Sequence, residues 1–577
     1  MFDVIIRGGT VIDGSGGAGR VADVAVRDGK IAAIEPHIEA DARELIDATG
    51  RIVTPGFVDV HTHFDGQTTW DELLEPSTNH GVTTVVMGNC GVGFAPVAPD
   101  AHAQLIELME GVEDIPGAAL AEGLTWGWES FPQYLDVLSE RRWTVDVGAQ
   151  LPHGPLRTYV MGPSAAEHKH ASPDEIAAMA KLTREAMEAG AYGFTTSRTM
   201  GHRALDGTPV PGTYAAIDEL FAIGAAVSAG GGRVFEWAPS GLARSDKPEI
   251  VAEEFDWIGR LAGTTGLTTT FNLLQMHTAP DRWRHEMDLA AQWRGSGASV
   301  TPLVAGRPFA VIYTWAVRHL FSARPSYRAI ARLPLVERLA ELRKPSVRSA
   351  ILGEADAPID DMERRGIQYI RTVLPDSYLM SGIPDYEQPA ESSIGAIAER
   401  LGVSMDEVLY DGLTATDDAV MLYPLYNYTT HDHSVLHEQL LDPDAVLGLN
   451  DGGAHCAFIC DASIPTYMMS HWARDRTRGP KIAIDEVIRR LTSQPADLYG
   501  MSDRGRLQVG LRADANVIDF ANVNISSPYA VNDLPAGGTR LLQKSFGYDI
   551  TMVAGQITRR NGADTGARPG RLLRHGS

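Results

Sequence analysis

Three short stretches of this chain bring together residue types that bind metal ions and move protons. The first is Thr54-Pro55-Gly56-Phe57-Val58-Asp59-Val60-His61-Thr62-His63. An apolar strand runs straight into His-x-His, and the two-residue period of a strand puts His61 and His63 on one face. Two imidazoles so placed can ligate one metal ion. The second is Gly88-Asn89-Cys90-Gly91-Val92-Gly93, where the apolar run TTVVM ends in a glycine-rich turn that presents one thiol. A thiolate beside a divalent ion is a strong, soft ligand that suits zinc. The third is Leu449-Asn450-Asp451-Gly452-Gly453-Ala454-His455, an apolar strand ending in a carboxylate. Asp451 can there touch a metal and accept a proton from water. Each stretch also has a plainer use, as core histidines, an inert buried cysteine or a turn-capping aspartate. Their succession at the ends of apolar strands is what points to a metal site.

Such residues need a frame of strands. Short apolar runs at 57–61, 83–88, 145–151, 192–197, 233–237, 268–274, 299–304 and 446–450 alternate with helical segments such as 173–190. Strands alternating with helices predict an α/β fold, a (β/α)8 TIM-like barrel over 56–504 with the site at the C-terminal ends of its strands. About 140 residues separate the seventh run from the eighth, and this insertion, roughly 305–445, follows a strand end on the substrate face. It is expected to be a lid or a plain decoration. Residues 1–55 and 505–577 are instead rich in short apolar runs broken by glycine, with Asp28-Gly29 as a hairpin turn. The two ends are expected to meet in one small β-sandwich domain.

Composition narrows the class of function. The formal net charge is −24, so no basic stripe is available for nucleic acid or an anionic membrane. Three cysteines in 577 residues are no disulfide framework. The N-terminus MFDVIIRGG reads as a strand rather than a signal segment. No stretch reaches the roughly 18 apolar residues of a spanning helix. A cytoplasmic enzyme with a small-molecule substrate is expected. Large barrels often assemble as homo-oligomers, though no interface pattern is visible in the sequence.

The chain resembles the amidohydrolase superfamily and, within it, the N-acyl-D-amino-acid deacylase (D-aminoacylase) branch. The matching stretches are RGGTVIDGSG, TPGFVDVHTHFD, GVTTVVMGNCGVGFAP, HGPLR, the strand-end Asp451, GRLQVGLRADANVID and GADTGARPGRLLR, which run from one end of the chain to the other. The resemblance implies the barrel with a β-sandwich built from both termini. It also implies zinc, surrounded by His61, His63, Cys90 and Asp451. The family further places one metal-binding histidine after the fifth strand and one after the sixth. Here the fifth region reads RVFEW and the sixth FNLLQMH, so Glu236 and Gln275 take the approximate places and His277 lies a few residues beyond. A carboxylate can replace an imidazole on zinc, but an amide is a poor ligand. One Zn2+ per chain is therefore expected, held by His61, His63 and Asp451, with Cys90 close or coordinating and Glu236 as a substitute ligand.

The chemistry that follows is amide hydrolysis by a metal-activated water, with Asp451 as general acid and base. His153, in the HGPLR segment, is a candidate partner for the oxyanion. The resemblance implies an N-acyl-D-amino acid or related N-acyl compound as substrate. Its carboxylate would suit an arginine, and Arg157, Arg198 and Arg307 follow strand runs. Phe309, Tyr313, Trp315 and Phe321 open the insertion and would favour a bulky apolar group if they line the pocket. His455, Cys456 and Cys460 lack the spacing of a second metal site and read as core. Two other readings stand beside this one. The same chemistry serves a cyclic amide, a carbamate or an ester, and a barrel short of histidines could be a non-catalytic binding protein.

Overall fold

The computed structural model describes residues 1–167, 169–240 and 247–576. Every apolar run named above forms parallel strand. Phe57–Asp59, Val82–Met87 and Asp146–Ala149 pair in one three-stranded parallel sheet. Leu151–Pro152, Gly193–Ser197, Val234–Ala238, Thr268–Asn272, Val300–Val304 and Val446–Leu447 pair in that order in a six-stranded one. Only Gln150 separates Ala149 from Leu151, which joins the two sheets on one side. On the other side Thr62 bridges Gly452 in parallel, and His63 N donates to Gly452 O at 2.8 Å. The strands are buried on both faces, as parallel strands flanked by helices must be. That burial explains why they read as continuous apolar runs.

Helices fill the crossovers that parallel pairing requires. Pro173–Glu188 shows how one is set. Ser172 accepts from Glu175 N while the Glu175 carboxylate accepts from Ser172 N, and Pro173 opens the first turn. Its Met179, Thr183, Ala186 and Met187 face inward.

Strands from both ends share a nine-stranded sheet. Ile52–Pro55 pairs antiparallel with Ala515–Ile518, so Val53 sits beside Val517. Asp28 and Gly29 adopt φ of 51° and 73°, the backbone a tight hairpin needs. The C-terminal stretch does not stay in that sheet throughout. Residues 524–546 form two small ribbons, and Leu572 runs beside Val147 of the third parallel strand. Gly570 permits this approach, because a Cβ there would lie 2.0 Å from Val145 O.

The insertion carries more than helices. Phe309–Tyr313, Val420–Tyr426 and Tyr378–Met380 make an antiparallel sheet backed by Asp361–Val373 and Met405–Ala415. Trp315, Phe321, Tyr327 and Tyr410 cluster in its own core. Glu387 clamps it to the segment after the last parallel strand. Its carboxylate takes Arg476 Nη2 at 2.9 Å, His471 Nε2 at 2.9 Å and the His433 N–H at 2.8 Å.

Candidate metal centre

His61 and His63 follow the first parallel strand. Thr62 N donates to Val86 O, which keeps the chain extended and turns both imidazoles to the same side. Their rings meet edge to face with centroids 5.5 Å apart. Cys90 reaches them from the turn after the second strand. That turn is possible because its glycines are glycines. Gly88 has φ of 87°, and a Cβ on it would stand 2.3 Å from Gln150 O. Asn89 knits the neighbouring strands. Its Nδ2 donates to Thr62 O and Val86 O, and its Oδ1 accepts from Gln150 Nε2. Cys90 itself, at φ of 56°, points its Sγ to within 3.5 Å of His61 Nε2.

One ligand atom from each of His61, His63 and Cys90 lies within 4.8 Å of the others. Asp451 closes the group from the end of the last parallel strand. Its N donates to His61 O, and its Oδ1 lies 3.4 Å from His61 Nε2 and 3.8 Å from His63 Nε2. Two imidazoles, a thiol and a carboxylate converging on one space are a donor set that suits zinc. The electrostatics agree. Burial, and then the charges of Glu113, Glu236 and Asp451, push the Cys90 thiol well above its ordinary range. Burial, and then the Asp461, Asp59 and Glu236 charges, do the same to the Asp451 carboxyl. A divalent ion reverses both pressures.

Glu236 is close but differently placed. Its Oε1 lies 3.7 Å from Nδ1 of His61, across the ring from Cys90 and Asp451, and accepts from Cys90 N at 3.2 Å. That is where an outer partner of a metal-bound imidazole stands, rather than where a ligand does. Gln275 and His277 lie elsewhere. Gln275 accepts from Thr429 N, and His277 stacks on Tyr423. The residue of the sixth strand that reaches the cavity is Asn272.

The cavity, about 240 Å³, has a polar floor of His61, His63, Cys90, Glu113, Asp451 and His455, with His202 and Asn272 beside them. Its walls are apolar and include Val112, Leu274, Phe309, Tyr426, Phe458 and Ile459. Glu113 and His202 carried no signal in the sequence. Glu113 ends an ordinary amphipathic helix, His102–Glu113. His455, whose spacing suggests core, instead faces the cavity, while Cys456 and Cys460 are buried away from it.

The structure does not bring the other expected residues to this cavity. His153 is fully buried, with Nδ1 2.8 Å from Thr196 Oγ1 and Nε2 2.9 Å from Glu219 Oε1, so neither ring nitrogen is free for an oxyanion. Arg157 is bound to the same Glu219 carboxylate. Arg307 pairs with Asp461 at 3.1 Å and covers the Tyr386 ring. Arg198 donates to Ala215 O and packs by Trp257. Of the four aromatics that open the insertion, Phe309 alone lines the cavity.

With this geometry in hand, the relatives are informative. The amidohydrolase family's profile matches residues 44–559, and the chain belongs to that family. Its similarity lies with the D-aminoacylase branch. N-acyl-D-glutamate deacylase of Alcaligenes xylosoxydans xylosoxydans is 26% identical over 529 residues, 90% of this chain and 88% of that one. D-aminoacylase of the same organism is 40% identical over 195 residues, 34% of this chain and 37% of that one. The solved N-acyl-D-glutamate deacylase of Bordetella bronchiseptica, complexed with zinc and a phosphonate inhibitor, superimposes with a TM-score of 0.64 at 24% identity, covering 99% of each chain. Among the described residues no helix is long and apolar enough to cross a membrane.

Proposed function

We propose that this chain is a zinc-dependent amide hydrolase that deacylates N-acyl-D-amino acids or closely related N-acyl compounds. The observation that carries this reading is the convergence of His61, His63 and Cys90 within 4.8 Å, with Asp451 3.4 Å from His61. In this reading the two linked parallel sheets are a (β/α)8 barrel, residues 56–504. The sheet shared by 1–55 and 505–577 is its companion domain.

His61, His63, Cys90 and Asp451 would hold the ion. Bound there, zinc supplies Lewis acidity toward the attacking water and the scissile carbonyl. The protein does the rest. Asp451 accepts the water's proton on its carboxylate and returns it to the departing amine nitrogen. Glu236 faces His61 Nδ1 across 3.7 Å, the side from which a carboxylate orients a metal-bound imidazole. His202 lines the cavity, and burial lowers it to about 4, so it presents a neutral imidazole near the reacting carbonyl. Val112, Leu274, Phe309 and Phe458 exclude water and suit an apolar acyl or side-chain group.

The test is metal content per chain together with turnover on a panel of N-acyl-D- and N-acyl-L-amino acids, cyclic amides and esters. Stoichiometric zinc and selective release of free D-amino acid are expected. Asp451→Asn should lower kcat by roughly 100- to 10,000-fold, the usual worth of a positioned acid–base group. Zinc with hydrolysis of cyclic amides only would move the substrate class. No metal and no turnover would leave a binding protein.

A further inference from the structure

The metal cavity, at about 240 Å³, is smaller than the roughly 300–1,000 Å³ of sites that bury a small molecule. A larger groove of about 690 Å³ adjoins it, and Phe458 lines both. Phe458 is half-buried and held at this junction by the insertion. Its carbonyl accepts from Ile312 N at 2.9 Å, and its ring stands edge to face with Tyr313, centroids 6.3 Å apart. Strand Phe309–Tyr313 thus runs from one space to the other. Its two-residue period puts Phe309, Val311 and Tyr313 on one face. Phe309 belongs to the cavity wall and Tyr313 to the groove wall, about 13 Å further along the strand at its usual rise.

Helix Asp361–Val373 supplies another wall, with Gly366, Ile367, Tyr369 and Ile370. The charges around the groove are paired or in solvent. Arg318 takes Asp114 at 3.1 Å, Glu363 takes Arg328 at 3.1 Å, and Arg365 is exposed. The Arg318 guanidinium also lies 5.1 Å from the centre of the Phe458 ring. Its pair with Asp114, the residue after Glu113 of the cavity floor, therefore straps the junction of the two spaces. Gly366 is informative because glycine weakens a helix interior. A Cβ there would meet nothing within 4 Å, so the fold has room for a side chain at 366, and the groove stays open for want of one.

We infer that this groove is the acyl subsite of the enzyme. A long unbranched acyl chain leaves the metal centre along Phe309, passes Phe458 and lies between Tyr313 and the helix at Gly366. The inference rests on the proposed deacylase reading and gives it a substrate class, N-acyl compounds with fatty rather than acetyl groups. A hydrocarbon chain gains from these walls by burial alone and asks nothing of their paired charges. The rival is that the groove receives the amino-acid side chain, or no part of the substrate.

Zinc-loaded full-length protein should be given acetyl-, hexanoyl-, decanoyl- and tetradecanoyl-D-leucine. Each further methylene that is half to fully covered should raise kcat/KM about two- to fourfold. Gly366→Trp fills the groove and should lower the ratio of kcat/KM for decanoyl over acetyl by roughly tenfold or more. Calorimetry with free decanoate reads the groove without turnover, and Gly366→Trp should weaken its binding by about tenfold. A thermal melt and the near-ultraviolet cobalt–thiolate band of the Co2+ protein, which reports Cys90, show whether the variant keeps its fold and centre. Gly366→Leu replaces it if it does not. Rates that ignore chain length, a ratio unchanged in a folded variant, or a shift in amino-acid preference without one in chain length overturns the inference. Decanoate binding that is lost in Gly366→Trp, with no turnover of any acyl-D-leucine, supports the groove and overturns the deacylase reading. Decanoate bound equally by both proteins overturns the groove.

Discussion

Glu236 Oε1 lies 3.7 Å from Nδ1 of His61, across the ring from the Nε2 that meets the Cys90 Sγ. An imidazole that gives one nitrogen to a metal commonly donates its other N–H to a carboxylate, which sets the tautomer and strengthens the ligand. Burial raises the Glu236 carboxyl to about 7, against bonds from Cys90 N and Gln150. Glu236→Gln should therefore weaken zinc binding by roughly 10- to 100-fold while leaving one ion bindable at high concentration. A zinc-chelator competition titration reads this directly. Complete loss of the ion would instead make Glu236 a ligand.

His153, Arg157 and Glu219 are expected to matter for stability and not for the chemical step. Arg157 and His153 both grip one buried carboxylate that ties helix His153–Met161 to helix Ile217–Ala229. Removing one partner of a buried ion pair leaves the other uncompensated, at about 3–5 kcal/mol. Arg157→Ala should lose that much in urea unfolding, while kcat per folded molecule stays within about twofold, too small a change to register as transition-state binding. A large fall in kcat with unchanged stability would return these residues to the reaction.

The same carboxylate sets a pH dependence. Burial by itself would raise Glu219, but the bonds and charges of His153 and Arg157 outweigh it and hold the group below its ordinary 4.5. A depressed carboxyl contributes stability that is complete above its unfolded value and is lost as pH falls through the folded one. Unfolding free energy should thus decline below about pH 4.5, and Glu219→Gln should flatten that decline while lowering stability at neutral pH. Parallel acid slopes in the two proteins would remove Glu219 as the cause.

Gly88→Ala should disturb the centre without touching a ligand. The new Cβ would stand 2.3 Å from Gln150 O at a φ of 87°. Overpacking plus a left-handed alanine costs about 2–4 kcal/mol. The turn that carries Cys90 must then shift. Melting temperature should fall, and the cobalt–thiolate band should weaken with it. An unchanged band would mean that Cys90 is positioned by other contacts.

Much of this was legible in the sequence, for a local reason. His61, His63, Cys90 and Asp451 sit at the ends of apolar strands, and strand ends in an α/β fold converge on one face. The strands themselves read clearly because both faces are buried. What escaped reading depends on contacts far apart in the chain. Arg157 follows a strand as a substrate-binding residue would, but its partner lies 62 residues on, and that of Arg307 lies 154 on. Glu113 looks like any polar residue at a helix end until folding sets it beside His63. The antiparallel sheet of the insertion pairs Phe309–Tyr313 with Val420–Tyr426, across a span where no periodicity reports a partner. Toward the C-terminal end, nothing local marks where residues 524–546 and 570–575 leave the shared sheet.

Substitution of Phe309 is expected to separate substrate preference from catalysis. It lines the cavity wall opposite the polar floor, is 7% exposed, and packs edge to face on Tyr426. None of its contacts reaches His61, His63, Cys90 or Asp451 through a hydrogen bond, so the centre should survive its truncation. A phenylalanine side chain in full apolar contact is worth about 1.5–3 kcal/mol. If the acyl or side-chain group of the substrate rests on it, Phe309→Ala should lower kcat/KM for bulky apolar substrates by roughly 10- to 100-fold. Acetylated substrates, too short to reach the wall, should change by less than about threefold. Zinc content should be unchanged. Equal losses on short and long acyl groups would mean that Phe309 supports the fold of the cavity rather than the substrate, and the preference would then be sought at Phe458 and Leu274.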